Sequence, residues 1–185
     1  MKQSKLFETP EPKLLDQIEL SVARKISEEI LSFVSPFLNP VAVVGSIRRK
    51  KPYCKDIDLV GVGSLEKAVK AISQNFKTEI KVQGDKVTKL YIATEYGKVQ
   101  VDFYCATPAT FGIHKLIRTG SADHNMWLAS YAISKGFRLK YSEGLLKEGF
   151  VVAGETEEGV FEALGLLCPK PKEREVVERK PMWLL

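Results

Sequence analysis

The sequence predicts an α+β fold, a mixed β-sheet backed by helices and followed by a small α/β module, on three observations. Apolar runs rich in β-branched residues, 41–44 and 57–62, are too short for helices and read as buried strands. Segments 87–93 and 98–105 have strand character and are joined at Glu95-Tyr96-Gly97-Lys98, the pattern of a hairpin. Leu14, Ile18, Val22, Ile26, Ile30 and Phe33, and later Leu65, Val69, Ile72 and Phe76, recur at helical spacing and give two helices with one apolar face each.

In chain order, residues 1–12 are polar, carry Pro10 and Pro12, and read as a flexible arm. A core-covering helix follows over 13–33; Glu19, Glu28 and Glu29 on its polar side weigh against a membrane-surface role. Pro36 and Pro40 end it and lead into the strand before Gly45. Ser64 caps a helix over 65–76, and strands 78–82, 87–93 and 98–105 bring Asp102 in beside the first two strands. Helices are expected over 108–119 and 121–135, broken at Thr119-Gly120-Ser121, where Gly120 ends the first, Ser121 caps the second, and free amides form a cradle for a ligand. Strands 137–141 and 145–152 turn around Glu143-Gly144, and Thr156 caps a last helix through Leu164 that Gly165, Pro169 and Pro171 close. From Lys172 to Pro181 the chain is a charged tail, and Met182-Trp183-Leu184-Leu185 is expected to dock on the body.

At 185 residues the chain makes one domain, or a domain with a small companion. A hydrophobic fraction of 44% and a charged fraction of 28% are those of a soluble globular protein, and the net charge of +5 suggests an anionic partner. Cys54, Cys105 and Cys168 are odd in number and show no Cys-x-x-Cys spacing, which fits a reducing compartment and excludes a disulfide framework or zinc site. His114 and His124 form no histidine-rich metal site on their own. With no stretch near 18 apolar residues and no signal-type amino terminus, a cytoplasmic protein without a membrane partner is expected.

Chemistry concentrates between Gly45 and Asp58. Strand alternation points Asp56 and Asp58 the same way, about 6.5 to 7 Å apart, while Ile57 and Leu59 face the other side. Two ionised carboxylates at roughly 4 Å repel by about 4 kcal/mol at an effective dielectric near 20, so the pair must shift its pKa values or bind a cation. Hard oxygen ligands with open positions for water and phosphate suit Mg²⁺. Gly45 allows close backbone approach to a ligand, Ser46 offers a hydroxyl and an amide, and Arg48 and Arg49 bring guanidinium groups within reach of phosphate oxygens.

A Gly-Ser loop ten residues before an Asp-x-Asp pair resembles the nucleotidyltransferase superfamily, and Gly45-Ser46-x-Arg48-Arg49 resembles DNA polymerase family X, the polymerase beta type. That family has a third acid on a neighbouring strand, which Val99-Gln100-Val101-Asp102-Phe103-Tyr104 supplies, with Asp102 sharing a face with Gln100 and Tyr104. The resemblance extends through Pro108-x-x-Phe111-Gly112, Arg118-Thr119-Gly120-Ser121 with His124-Asn125, Lys135-Gly136 and Pro171-Lys172-Glu173-Arg174-Glu175. It implies a palm over 13–106, a thumb over 107–175 and a tail over 176–185, without the family's lyase and helix-hairpin-helix domains.

The resemblance also implies roles. Asp56 and Asp58 would ligate two Mg²⁺ ions, with Mn²⁺ as a substitute, and Asp102 would hold the catalytic ion and help deprotonate the primer 3′-hydroxyl. Gly45, Ser46 and Arg49 would grip the triphosphate; Gly120, Ser121 and Asn125 would line the sugar and base. Lys50, Lys51, Arg118 and Lys140, with Lys55, Lys135 and Arg138, are the candidate DNA contacts. The chain departs from the family at Ile117-Arg118 (usually Tyr-Phe, near the sugar), at Gln100 (usually Arg, near the primer terminus) and at Ala129 (often Arg, against the template).

The leading expectation is a minimal, monomeric, template-directed DNA polymerase that uses dNTPs to fill short gaps in repair, with accessory repair proteins as further partners. A template-independent nucleotidyltransferase acting on a nucleic-acid end, protein or small molecule is the alternative, and a catalytically silent nucleic-acid-binding module is a third. The Thr-Gly-Ser helix pair weighs against the second, and three mutually repelling carboxylates kept together weigh against the third.

Overall fold

A five-stranded sheet organises the first part of the chain in the computed structural model, which describes residues 12–175. β1 (Ile18–Glu19) leads into α1 (Leu20–Val34), β2 (Leu38–Val43), the single-turn α2 (Gly45–Arg48), β3 (Tyr53–Cys54), β4 (Ile57–Gly63) and α3 (Leu65–Asn75). Then come β5 (Thr78–Val82), β6 (Val87–Thr94) and β7 (Gly97–Ala106). The sheet runs β2-β4-β7-β6-β5, with β4 and β7 parallel and the other neighbours antiparallel. It is therefore mixed. Ile57, Leu59, Val101 and Phe103 join Ile26, Ile30 and Val34 of α1 and Leu65, Val69 and Ile72 of α3 in the main core. Side-chain alternation leaves Asp58, Gln100, Asp102 and Tyr104 on the opposite face.

Two expectations for this part are corrected. The helical spacing that starts at residue 13 becomes helix only at Leu20. Lys98 instead exchanges backbone hydrogen bonds with Lys13 and Leu15, and Ile18 pairs with Cys54, so residues before Leu20 run alongside other chain segments. Backbone partners from distant segments outweigh a periodicity that a helix would satisfy alone. Pro40 lies inside β2 rather than ahead of it; the strand is a sheet edge and its register shifts between Leu38 and Val41, the two circumstances that tolerate proline.

A 3-10 turn, Pro108–Thr110, opens the second part: α4 (Phe111–Thr119), α5 (Ala122–Ser134), β8 (Phe137–Lys140), β9 (Gly144–Lys147), β10 (Phe150–Ala153), α6 (Glu157–Ala163) and a closing 3-10 turn, Pro171–Glu175. The strand expected over 145–152 is two antiparallel strands, β9 and β10. Glu148 and Gly149 between them both take positive φ, 52° and 87°, the geometry that matches a tight hairpin to the twist of its strands. Ile113, Leu116, Leu128, Leu145, Val160 and Phe161 form a second core, separate from the first. Among the described residues no helix is long and apolar enough to cross a membrane. The expected arm, apart from Pro12, and the tail over 176–185, including its docking, lie outside the described residues.

Where the two parts meet, charge takes over from apolar packing. Glu157, at the start of α6, is 2% exposed and receives Arg48 Nη1 at 2.8 Å and Nη2 at 2.5 Å, and Arg174 Nη1 at 2.8 Å. Arg174 is itself 1% exposed and also donates to the Pro169 carbonyl, so the charged tail expected from Lys172 includes a buried residue. Burial pushes Glu157 up, but the hydrogen bond from Arg48 and the nearby Arg174 and Arg48 charges hold it below the usual carboxylate range. Arg49 donates to Glu175 and to the Thr119 carbonyl, and Arg48 reaches the Thr119 hydroxyl at 2.6 Å.

Removing one member of a buried ion network leaves its partners charged and unpaired. Glu157→Ala should therefore lower the unfolding free energy by about 3 to 5 kcal/mol in urea titrations. Lys25→Ala, at the exposed Lys25–Glu95 pair, should leave the urea midpoint unchanged.

Candidate active site

The β4–β7 register builds the acid cluster. Ile57 stands opposite Val101, Asp58 opposite Asp102 and Leu59 opposite Phe103. In a parallel pair, side chains of neighbouring residues share a face, so two carboxylates are driven to the same spot while the flanking apolar residues sink into the core. Asp56, just before β4, completes the group: one carboxylate oxygen from each of the three lies within 4.8 Å of the others.

That proximity has an electrostatic consequence. Burial, and then the charges of Asp56 and Asp102, push the Asp58 carboxyl up to about 7; Arg118 and Lys89 only partly oppose them. Asp56 is raised too, by burial and by Asp102. Asp102 is 1% exposed and accepts hydrogen bonds from Lys89 Nζ at 2.5 Å, Gln100 Nε2 at 2.9 Å and the Tyr104 hydroxyl at 3.2 Å. Three hard oxygens converge with more negative charge than the neighbouring cations offset, which fits a divalent cation such as Mg²⁺.

The Gly45 loop rests on this cluster. Gly45 has φ +62°, and a Cβ there would come within 2.1 Å of Asp58 Oδ2, so a side chain at this position cannot coexist with the acid as placed. Ser46 follows in α2, half-buried, its carbonyl held by the Lys51 amide. Gly120 ends α4, and a Cβ built on it would lie 3.1 Å from Arg49 Nη1. Arg49 and the Thr119-Gly120 turn are thus brought together just past the last residue of α2.

Two expected nucleotide contacts turn towards protein partners. Ser121 accepts from the His124 amide, capping α5 as expected, and donates to the Arg174 carbonyl at 2.7 Å. Asn125 Nδ2 donates to the Ile117 carbonyl at 2.8 Å, tying α5 to the end of α4. The cradle expected at the α5 amino terminus is partly filled by these bonds.

The expected DNA-contact residues separate. Lys50, Lys51 and Lys140 are exposed, Lys51 lying 3.2 Å from Glu175 and Lys140 3.0 Å from Glu143. Lys55 and Arg138 are exposed as well, and Lys135 lies over the Tyr131 ring at 5.5 Å. Arg118 instead stacks on the Tyr104 ring at 3.8 Å and its charge acts on Asp58.

Four residues that shape the site were not among the expected site residues: Lys89, Glu157, Arg174 and Glu175. For Lys89 a signal was present, because counting equal steps back from the two-residue turn Glu95-Tyr96 reaches Lys89 on one strand as it reaches Asp102 on the other. Arg174 and Glu175 fall in the Pro171–Glu175 stretch that carries the resemblance, which assigns them no partner. For Glu157 there was no signal, since a charged residue in the first turn of a helix reads as a solvated one.

Comparison with known proteins agrees with the motifs. Residues 115–175 match the family model described as the DNA polymerase beta thumb. Over 169 residues the chain is 24% identical to Repair DNA polymerase X of African swine fever virus, a match spanning 88% of this chain and 95% of the viral protein. The same protein from a second isolate is 23% identical with the same coverage. The resemblance to DNA polymerase family X therefore holds along most of the chain.

A carboxyl raised by the fold destabilises it once ionised. For Asp58, whose ordinary value of 3.8 rises to about 7, this loss of stability sets in as pH climbs from about 4 and is complete above about 7. In EDTA at pH 8, Asp58→Asn should accordingly be more stable than the parent by up to about 4 kcal/mol, with the difference vanishing near pH 4. Chemical denaturation at both pH values checks this, and a less stable variant at pH 8 contradicts it.

Proposed function

We propose that the chain is a DNA polymerase of the polymerase beta type, a nucleotidyltransferase that adds dNMP from a dNTP to a primer 3′-hydroxyl, releases pyrophosphate and fills short gaps during repair. The observation that carries this reading is the Asp58–Asp102 register, which with Asp56 gathers three carboxylates beside the Gly45 loop. The similarity to Repair DNA polymerase X over most of both chains supports it. On this reading residues 13–106 act as palm and 107–175 as thumb, in a monomeric cytoplasmic protein aided by accessory repair proteins.

Asp56, Asp58 and Asp102 would hold two Mg²⁺ ions, for which Mn²⁺ can substitute. When bound, the ions lower the pKa of the attacking hydroxyl and neutralise charge developing on the α-phosphate. The chain's own residues do the rest. Asp102, on the wall of the cluster, helps take the proton from the primer 3′-hydroxyl. Ser46 and Arg49 bind the β and γ phosphates, with the triphosphate displacing Glu175 from the Arg49 guanidinium, an exchange of one anion for another. Gly120, Ser121 and Asn125 shape the turn on which sugar and base rest, and their bonds to Arg174 and Ile117 keep it in place. Exposed Lys50, Lys51 and Lys140 meet DNA phosphates, and Arg118 supports the acid side.

Primer extension on a one-nucleotide gapped duplex, offering each dNTP and rNTP singly with Mg²⁺, tests the proposal. Addition should follow the template base, and Asp102→Ala should reduce it to below about a thousandth while the circular dichroism spectrum is preserved. Addition to an unpaired primer alone would favour the template-independent alternative, and addition to neither a non-DNA acceptor. Affinity for the gapped duplex should fall steeply between low and physiological salt; a flat response would contradict a phosphate-dominated interface.

A further inference from the structure

The third carboxylate has a counter-ion of its own. Lys89 stands across the β6–β7 pair from Asp102, and its Nζ lies 2.5 Å from Oδ2. Tyr104, two residues along, shares that oxygen at 3.2 Å, and Gln100, two residues back, donates to Oδ1 at 2.9 Å. Both oxygens of a carboxylate that is 1% exposed are therefore engaged, and one of the three donors is charged.

The donors differ in how easily they can leave. Gln100 and Tyr104 flank Asp102 on the same strand and are neutral. The Lys89 side chain is 39% exposed, with a long flexible stem that can swing its ammonium into water without breaking the sheet. An ammonium at 2.5 Å engages Oδ2 of a clustered carboxylate and would set a like charge beside any cation bound there.

We propose that Lys89 is a positioning residue of the transfer reaction, a displaceable internal cation that holds Asp102 in place within the acid cluster and yields to a divalent cation when one enters. The proposal rests on the polymerase reading of the same site. Lys89 occupies Oδ2 while the cluster lacks another cation and moves out as the cation arrives. Its charge weakens cation affinity, so the site closes around the cation only at a higher concentration.

Titration of Mn²⁺ followed by electron paramagnetic resonance of the free ion tests this without reference to turnover. Lys89→Met, which keeps the stem and removes the charge, should bind Mn²⁺ roughly tenfold more tightly than the parent, and Lys89→Arg should stay close to it. Thermal unfolding in EDTA should show Lys89→Met less stable than the parent, with Mn²⁺ restoring the difference. Unchanged or weaker Mn²⁺ affinity in a folded Lys89→Met overturns the proposal, as does tightening in Lys89→Arg equal to that in Lys89→Met. Asp102→Asn separates the two levels of the reading. If the parent binds Mn²⁺ and Asp102→Asn weakens it, the acid site stands and Lys89 alone is on trial; if the parent binds none, the reading of the site fails and this proposal with it.

Discussion

Glu157 is a buried carboxylate that cannot stay ionised without cations beside it, and those cations come from distant stretches of the chain. Arg48 approaches from the helix that starts at Gly45, and Arg174 from the last turn of the described residues. Because neither guanidinium can retreat without leaving a charge unpaired, the relative position of the two cores is set by ion geometry as much as by apolar packing. The same short helix carries Arg49 to the Thr119 carbonyl and begins at the glycine that lies against Asp58. The glycine that lies against the acid cluster and the arginines of the seam are thus neighbours on one short turn, so the seam holds this loop against the acids.

The two charged centres are balanced in opposite senses. Around Glu157 a single negative charge has two arginines and a lysine, Lys115, at 3.6 Å, and the centre is saturated. Around Asp58, Lys89, Arg118 and Lys55 do not offset burial and the mutual repulsion of three acids, and Asp58 and Asp56 respond by rising. A saturated centre resists change and suits a structural joint. An undersaturated one draws in a cation, and there the chemistry belongs.

The local parts of this arrangement were legible in the sequence. Alternation placed Asp102 on one face with Gln100 and Tyr104, the turn at Glu95-Tyr96 set the hairpin, and Ser64, Ser121 and Thr156 cap the helices they precede. Legibility failed where a distant partner decides. Residues ahead of Leu20 keep helical spacing but pair with Lys98 and Cys54, and β9 and β10 part at a turn in which Glu148, a residue that rarely does so, takes positive φ beside Gly149. The burial of Glu157 and Arg174 was not legible because a one-dimensional pattern shows polarity but not the complementary charge that permits burial. The Arg49–Glu175 pair joins residues 126 positions apart, a contact that no spacing rule anticipates.

The parallel pairing of β4 with β7 also orders the birth of the molecule. Between these strands the chain makes α3, β5 and β6, so their contact closes a long loop, whereas β6 and β7 meet across two residues and zip up locally. The hairpin is thus the cheaper contact to close, and its docking on β4 is favoured by Val101 and Phe103 meeting Ile57 and Leu59. Asp58 and Asp102 are carried into contact by this apolar collapse rather than by any attraction of their own. During synthesis on a ribosome, β4 emerges well before its partner, and the nascent chain holds no assembled acid cluster until β7 has cleared the exit tunnel.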